Sequence, residues 1–219
     1  MNRLALFDCD GTLVDSQHSI CAAMEAAFTA HGLTRPCRTA TRAIVGLSLV
    51  EAMAAMLPEG DRALHLALAD SYKVAFQDLR ARGDVQEPLF DGILPLLDAL
   101  ERDGWLLGVA TGKSDCGLRL CLERHGLHAR FVTLQTADRH PSKPHPSMVD
   151  HALADTGTEP DRCLLIGDTS YDMAMAVAAG VTGIGVGWGY HEPGVLLAAG
   201  ASHIADMPHD LLPLLQVSA

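Results

Sequence analysis

Six short apolar runs, separated by longer helical patterns, constrain the fold of this chain more than any other feature. Each run predicts a strand, and the runs are LALF near Leu4, WLLGVA from Trp105, FVTL from Phe131, CLLIG from Cys163, VTGIGV from Val181 and HIAD from His203. Between them, GILPLLDALERDG, DCGLRLCLERHG and SYDMAMAVAAG have helical spacing and end in glycine, which is typical of a helix C-terminus. Strands that alternate with helices predict an α/β fold, with a doubly wound parallel sheet covered on both faces.

One long segment breaks this alternation directly after the first strand. Residues 16–85, called here the helical segment, contain no strand pattern and three amphipathic runs: HSICAAMEAAFTAHG, SLVEAMAAML and DRALHLALADSYKVAFQDLRARG. The sequence EPLFDGILPLL then returns the chain to the α/β pattern. We therefore expect an α/β core of residues 1–15 and 86–219, with residues 16–85 forming a small helical domain inserted after the first strand.

Charge and composition narrow the classes of partner. The chain has a formal net charge of −11, from 16 lysines and arginines against 27 acidic residues, which argues against nucleic acid or an anionic membrane as a partner. No stretch approaches the roughly 20 apolar residues of a membrane span, and Asp8 comes too early for a signal peptide. We expect a cytoplasmic protein whose partner is a small molecule, and the sequence leaves its oligomeric state open.

The cysteines do not indicate a disulfide framework or a thiolate zinc site. They are scattered, without a C-x-x-C pair, and we expect all of them to be buried, reduced thiols. The six are Cys9, Cys21, Cys37, Cys116, Cys121 and Cys163.

Polar residues of four segments are expected to converge at one edge of the predicted sheet. In open parallel sheets, ligands bind at this edge, beyond the carboxyl ends of the strands. Taken singly, each signal has an ordinary explanation: an aspartate after a strand often caps a helix, a lone lysine is usually solvated, and GDTSYD is also a capping pattern. Together, the acids, the hydroxyl beside a glycine and the lysine are the groups needed to hold Mg²⁺ and a phosphate. The residues are Asp8, Asp10, Thr111, Gly112, Lys143, Asp168 and Asp172.

Four motifs occur in a fixed order: D-x-D-G-T-L-V-D-S, an apolar residue followed by T-G-K, K-P-x-P, and G-D-x-x-x-D. With these motifs in this order, the chain resembles the haloacid dehalogenase superfamily of phosphohydrolases over essentially its whole length. The resemblance includes the position of the helical cap domain, which residues 16–85 would form after the first motif. Within that superfamily it is similar to phosphoglycolate phosphatases through DGTLVDS, GLSLVEAM and VGWGYHEPG.

The resemblance implies that Asp8 is the nucleophile, which forms an aspartyl-phosphate, and that Asp10 is the general acid and base. It implies a Mg²⁺ site made of the Asp8 and Asp168 carboxylates and the Asp10 carbonyl, with Asp172 orienting these ligands. Phosphate would be held by Thr111, the Gly112 N–H and Lys143. The turn that begins at Gly11 is expected to let Asp10 diverge from Asp8.

Several alternatives differ from a phosphatase in identifiable ways. A dehalogenase like the family's namesake needs neither metal nor a second aspartate, and a phosphonatase-like member needs a cap lysine, which is missing between Ser16 and Tyr72. A phosphomutase would use the same core and stays open. A phosphoacceptor resembling response-regulator receiver domains, or a non-catalytic binding protein, is an alternative from another class.

The leaving group of the substrate is the least constrained feature. Phosphoglycolate, a sugar phosphate, a nucleotide or pyrophosphate could all be served by the same core, because the core contacts only phosphate and metal. The loop from Arg42 to Ser48 is expected to close over the site. Arg42 would then pair with the carboxylate of a substrate such as 2-phosphoglycolate, although a surface arginine is the plainer interpretation. His191, in WGYHEPG, is expected in a loop far from the chemistry.

Overall fold

The computed structural model describes residues 2–217 and contains one parallel sheet of six strands. The strand order is β3-β2-β1-β4-β5-β6. Strands β2 and β3 are therefore added on one side of β1, and β4, β5 and β6 on the other. This confirms the predicted α/β class and places a topological switch point beside β1. The strands are β1 Leu4–Phe7, β2 Leu106–Thr111, β3 Phe131–Thr136, β4 Cys163–Gly167, β5 Thr182–Val186 and β6 His203–Ala205.

Helices cover the sheet and make up most of the helical segment. Among the described residues, no helix is both long and apolar enough to cross a bilayer. The helical segment contains α1 Gln17–Ala30, α2 Arg38–Arg42, α3 Leu49–Met56 and α4 Arg62–Ala81. The later helices are α5 Ile93–Arg102, α6 Asp115–Arg124, α7 Ser147–Thr156, α8 Ser170–Ala179, α9 Pro193–Ala198 and α10 Leu211–Val217.

Alternation along β1 divides the core between the two faces of the sheet. Ala5 and Phe7 pack in one apolar cluster with residues of α5 and α6, whereas Leu4 and Leu6 pack in another with residues of α7 and α8. All four side chains are fully buried. A strand that is buried on both faces reads as a continuous apolar run, which is why LALF does not alternate with polar residues.

The helical segment has an apolar cluster of its own, formed by side chains such as Met24, Met53 and Leu68. Its helices α1 and α4 pack against each other, and α3 packs on α4. These contacts explain the amphipathic pattern of the three runs, because each helix buries its apolar face within the segment.

The expectation that every cysteine is buried is wrong for two of them. Cys37 and Cys116 are exposed, and the other four are buried. Cys37 is exposed because it stands just before the short helix α2, where its sulfur accepts a hydrogen bond from the N–H of Ala40. Cys116 lies in the first turn of α6 and lines a cleft described below.

Candidate active site

Asp8 lies directly after β1 and is fully buried. Its backbone N–H continues the sheet by donating to the carbonyl of Ile166 at 2.9 Å. Lys143 Nζ lies 2.9 Å from Asp8 Oδ1, and both side chains are almost completely excluded from solvent. Apart from this ion pair, neither carboxylate oxygen of Asp8 has a hydrogen-bond partner among the described residues. Asp8 is therefore a buried acid with free acceptor capacity.

Asp168 follows β4 and is held by two hydrogen bonds. The Thr12 hydroxyl donates to Asp168 Oδ1 at 2.8 Å, and the N–H of Tyr190 donates to Oδ2 at 2.9 Å. A Cβ atom at Gly11 or at Gly189 would stand 2.1 Å from an atom of the Asp168 side chain. Glycine at both positions therefore makes room for this carboxylate between the first loop and the loop after β5.

Asp172 combines a capping role with an ion pair. Oδ2 of Asp172 accepts hydrogen bonds from the Thr169 hydroxyl at 2.6 Å and from the Thr169 backbone N–H at 3.1 Å. These bonds complete a capping box at the start of α8. Its other oxygen, Oδ1, lies 2.6 Å from Lys143 Nζ. The capping interpretation of GDTSYD is thus correct locally, and the same carboxylate also fixes the lysine that contacts Asp8.

The three buried acids can hold a metal ion. Ligand atoms of Asp8, Asp168 and Asp172 all lie within 4.8 Å of one another. Burial raises the pKa of Asp8 to about 7, against an ordinary value of 3.8, and burial with the neighbouring acids raises the pKa of Asp168 well above its ordinary value. Carboxylate oxygens are the ligands that Mg²⁺ prefers, and a cation there would relieve this repulsion. The residues present therefore fit Mg²⁺.

Asp10 faces a different set of partners from Asp8. Gly11 adopts a positive φ of 85°, which turns the chain immediately after Asp10. Asp10 Oδ1 accepts a hydrogen bond from the hydroxyl of Ser16 and lies 2.9 Å from Lys113 Nζ. The two aspartates thus diverge, and each contacts its own lysine.

Lys113 and Glu87 were not among the predicted site residues, yet both belong to the charged network around Asp10. Lys113 Nζ lies 2.8 Å from Glu87 Oε1, and Glu87 Oε2 lies 3.7 Å from the guanidinium of Arg80. Burial alone would lower the pKa of Lys113, but Asp10 and Glu87 hold it well above its usual value. Lys113 stands in the T-G-K motif and was detectable there, whereas Glu87 carries no local signal because its partners come from distant segments.

Thr111 and Gly112 lie at the end of β2 and line the same cleft as Asp8 and Asp10. The Thr111 side chain is buried. A Cβ atom at Gly112 would stand 2.6 Å from the carbonyl oxygen of Leu47, so glycine is needed where the helical segment touches the core. The structure thereby brings all seven residues of the predicted site to one edge of the sheet.

The cleft between the helical segment and the sheet edge has a volume of about 460 Å³. Residues 44–50 form part of its wall. The segment from Ala43 to Ser48 is tied to the core, since the N–H of Ser48 donates to Ser142 Oγ at 2.8 Å and the Tyr171 hydroxyl donates to the carbonyl of Ala43 at 3.1 Å. Arg42 does not line the cleft; its guanidinium stands over the ring of Tyr190, 5.7 Å from the ring centroid.

His191 lies in a loop, as expected, but the expectation that it is far from the chemistry is wrong. Its N–H donates to the carbonyl of Asp168 at 3.3 Å, and its Nδ1 accepts from the N–H of Ser170 at 3.1 Å. Because Nδ1 is the acceptor, Nε2 carries the proton and donates to the carbonyl of Ala43 at 3.2 Å. His191 therefore joins the Asp168 loop to the helical segment.

Comparisons with known proteins agree with this geometry. The "Probable phosphatase IndB" of Dickeya dadantii is 34% identical over 210 residues, which cover 94% of this chain and 90% of that protein. The "Phosphoglycolate phosphatase" of Xylella fastidiosa is 32% identical with the same two coverages. The "Tyrosine-protein kinase PtkA" of Mycobacterium tuberculosis is 36% identical over 86% of this chain, which spans only 63% of that longer protein.

A solved structure and a family model are also similar to this chain. A solved structure of a predicted phosphatase from Clostridium acetobutylicum has a TM-score of 0.89 and 25% identity, with 99% of both chains covered. The family model for haloacid dehalogenase-like hydrolases matches residues 5–186. These findings confirm the predicted family and the prediction that the protein is a phosphatase. The chain belongs to the haloacid dehalogenase-like hydrolases.

Proposed function

We propose that this protein is a Mg²⁺-dependent phosphatase that hydrolyses a small-molecule phosphate monoester through an aspartyl-phosphate on Asp8. The observation that carries this proposal is the pair of aspartates after β1, which diverge to contact two different lysines. One buried carboxylate with free acceptor capacity suits a nucleophile, and a second acid beside the cleft suits proton transfer.

In the first step, an Asp8 oxygen attacks phosphorus while the bond between phosphorus and the ester oxygen breaks. Lys143, already 2.9 Å from Asp8 Oδ1, balances the charge of the nucleophile and of the phosphate oxygens. Thr111 and the N–H of Gly112 line the cleft beside Asp8 and are proposed to donate to the same oxygens. Fixed donors of this kind stabilise the charge that develops in phosphoryl transfer.

Asp10 is proposed to give a proton to the departing ester oxygen and then to take one from the water that attacks the aspartyl-phosphate. That second attack frees inorganic phosphate and returns Asp8 to its carboxylate form. The hydroxyl of Ser16 and Lys113 both contact Asp10 Oδ1, so Oδ2 is the oxygen left to exchange the proton.

The acidic cluster is proposed to hold Mg²⁺ through the carboxylates of Asp8 and Asp168 and the carbonyl of Asp10, with Asp172 orienting the site. When bound, Mg²⁺ would neutralise charge on the phosphate and keep Asp8 ionised. Asp172 is suited to orientation rather than ligation, because both of its oxygens already have partners, Lys143 and Thr169.

We also propose that residues 16–85 act as a cap domain over a core of residues 1–15 and 86–219, and that the protein works in the cytoplasm. The separate apolar cluster of the helical segment supports the division. The net charge of −11 supports a small-molecule partner rather than nucleic acid.

For the substrate, the name of the Xylella relative makes 2-phosphoglycolate one candidate for the test. The test is hydrolysis of a panel of phosphate monoesters, with and without Mg²⁺, with release of inorganic phosphate as the readout. Turnover that needs Mg²⁺ and disappears in Asp8→Asn supports the proposal, and turnover that survives in Asp8→Asn contradicts it. Conversion of a sugar 1-phosphate to its 6-phosphate without phosphate release would favour a phosphomutase instead.

A further inference from the structure

The helical segment contributes mostly apolar side chains to the cleft that Asp8 and Asp10 line, and its polar members there are Ser48, Tyr72, Lys73, Gln77 and Arg80. The leaving group of a substrate bound at Asp8 would lie in this cleft. Helices α1 and α4 and the loop between α2 and α3 all contribute. The apolar wall is formed by Ile20, Met24, Ile44, Val45, Leu47 and Phe76.

The cations that line the cleft are all engaged. Lys113 contacts Asp10 and Glu87, Arg80 contacts Glu87 and stacks 5.6 Å from the ring of Phe76, and Lys73 pairs with Asp70 at 3.2 Å. Among the described residues that line the cleft, these are the only lysines and arginines, and each has an acidic partner. A second anionic group on the substrate would thus have to compete with an acidic side chain for each of these cations.

The cleft is also larger than a two-carbon leaving group requires. Its volume of about 460 Å³ falls within the roughly 300 to 1,000 Å³ of pockets that bind drug-sized ligands. Arg42, the residue expected to bind a substrate carboxylate, lies outside the lining. Volume, apolar lining and paired charges all disfavour glycolate as the leaving group.

We propose that the apolar wall is a subsite for the leaving group, and that the preferred substrate is the phosphate monoester of an uncharged, apolar alcohol or phenol. This inference rests on the proposed function, because the wall lines the same cleft as the aspartate that is proposed to take the phosphate. Binding energy comes from removing apolar surface of the leaving group from water, and discrimination against anions comes from the absence of a free cation at the wall.

Two comparisons of wild-type kcat/KM test the chemistry of the subsite. Ethyl phosphate and 2-phosphoglycolate differ in one group, a methyl in place of a carboxylate, and ethyl phosphate is expected to be the better substrate. From ethyl to hexyl phosphate, kcat/KM is expected to rise roughly three- to fourfold for each methylene that is buried. A preference for 2-phosphoglycolate over ethyl phosphate, or no change along the alkyl series, would overturn the proposal.

A matched pair of variants on α4 tests the location of the subsite. Phe76 lines the cleft, whereas Val74 is 57% exposed and does not. Phe76→Ala is expected to lower kcat/KM for hexyl phosphate at least about tenfold while changing that for methyl phosphate little, and Val74→Ala should change neither. An equal loss on both esters in Phe76→Ala would show that Phe76 supports the fold of α4 rather than binding the leaving group.

Binding of n-alkylphosphonates separates this inference from the proposed function, because their carbon–phosphorus bond is not a phosphate ester. Titration calorimetry with Mg²⁺ present is expected to show a Kd that falls with chain length in the wild type and in Val74→Ala, but not in Phe76→Ala. A protein that binds the phosphonates in this pattern but hydrolyses no ester would refute the phosphatase mechanism and keep the subsite. A protein that hydrolyses p-nitrophenyl phosphate but binds all the phosphonates equally would refute the subsite alone.

Discussion

Lys113 Nζ lies 2.9 Å from Asp10 Oδ1 and 2.8 Å from Glu87 Oε1. One lysine therefore joins the first loop of the core to the segment in which the chain returns from the helical segment. Beside this contact, the N–H of Asp15 donates to the carbonyl of Pro88 at 2.8 Å. The segments that enter and leave the helical segment are therefore also joined through their backbones. The position of Asp10 is coupled in this way to the place where the helical segment leaves the core.

We predict that Lys113→Met destabilises the protein and reduces its activity. The variant leaves Asp10 and Glu87 without their shared cation, and removing one partner of a buried ion pair typically costs about 3 to 5 kcal/mol. The free energy of unfolding, measured in urea, should fall by an amount of that order. Glu87→Gln added to Lys113→Met should recover part of the loss, because it removes a buried acid that has lost its nearest cation and keeps only Arg80, at 3.7 Å. A double variant as unstable as the sum of the two single variants would show that the three side chains act independently.

Asp8→Asn should abolish turnover of every phosphate ester while leaving the fold intact. The amide keeps the shape of the side chain and loses the charge that attacks phosphorus. Circular dichroism and thermal unfolding check the fold, and release of inorganic phosphate checks the activity. Near-normal turnover by this variant would contradict the role of Asp8.

Asp10→Asn should impair esters with poor leaving groups more than p-nitrophenyl phosphate, whose leaving group needs little protonation. Loss of a proton donor typically costs about 10²- to 10⁴-fold in rate, and ethyl phosphate should show a loss in that range. Burst kinetics must first establish that formation of the aspartyl-phosphate limits both reactions. Given that condition, an equal loss on the two esters would exclude Asp10 as the general acid.

Mg²⁺ should stabilise the protein more at pH 8 than at pH 5.5. In the folded protein the pKa of Asp8 is about 7, above its ordinary value of 3.8, and the pKa of Asp168 is also raised. Each of these carboxyl groups therefore contributes stability that is complete below about pH 4. That contribution is lost as the pH rises through the folded-state pKa. A bound cation offsets this loss only where the carboxylates are ionised. The measurement is the change in Tm on adding Mg²⁺ at the two pH values. A change that is equal at both, or one that Asp8→Asn leaves unaltered, would contradict the site.

Arg42→Ala should lower kcat/KM for 2-phosphoglycolate and for ethyl phosphate by the same factor. Its guanidinium stacks on Tyr190 outside the cleft, and its buried Nε has no hydrogen-bond partner among the described residues. If Arg42 instead bound the substrate carboxylate, the loss would be about 10- to 150-fold larger for 2-phosphoglycolate, as expected for a charge-assisted contact. The ratio of the two losses decides between these roles.

The local pattern of the sequence was sufficient for the sheet, its covering helices and the position of the helical segment. The runs LALF and CLLIG became neighbouring strands because each is apolar enough to be buried on both faces, a property of a few consecutive residues. The convergence of Asp8, Thr111 and Asp168 was predictable for a related reason. Parallel strands end at a common edge, so residues that follow strands meet there whatever the intervening sequence.

Contacts between distant segments depended on the tertiary structure. Glu87 and Lys113 are 26 residues apart, and nothing around Glu87 distinguishes it from a solvated acid. It becomes a partner of Lys113 only because the segment before α5 packs beside the end of β2. His191 was misjudged for the same reason, since the direction of a loop side chain depends on what packs beside it, and here Ala43 and Ser170 contact the two ring nitrogens. The contact between Arg42 and Tyr190 likewise joins segments that are distant in the sequence. Periodicity and motif spacing are local properties that a sequence displays directly, whereas the pairing of buried charges and the lining of the cleft arise only when separate elements come together.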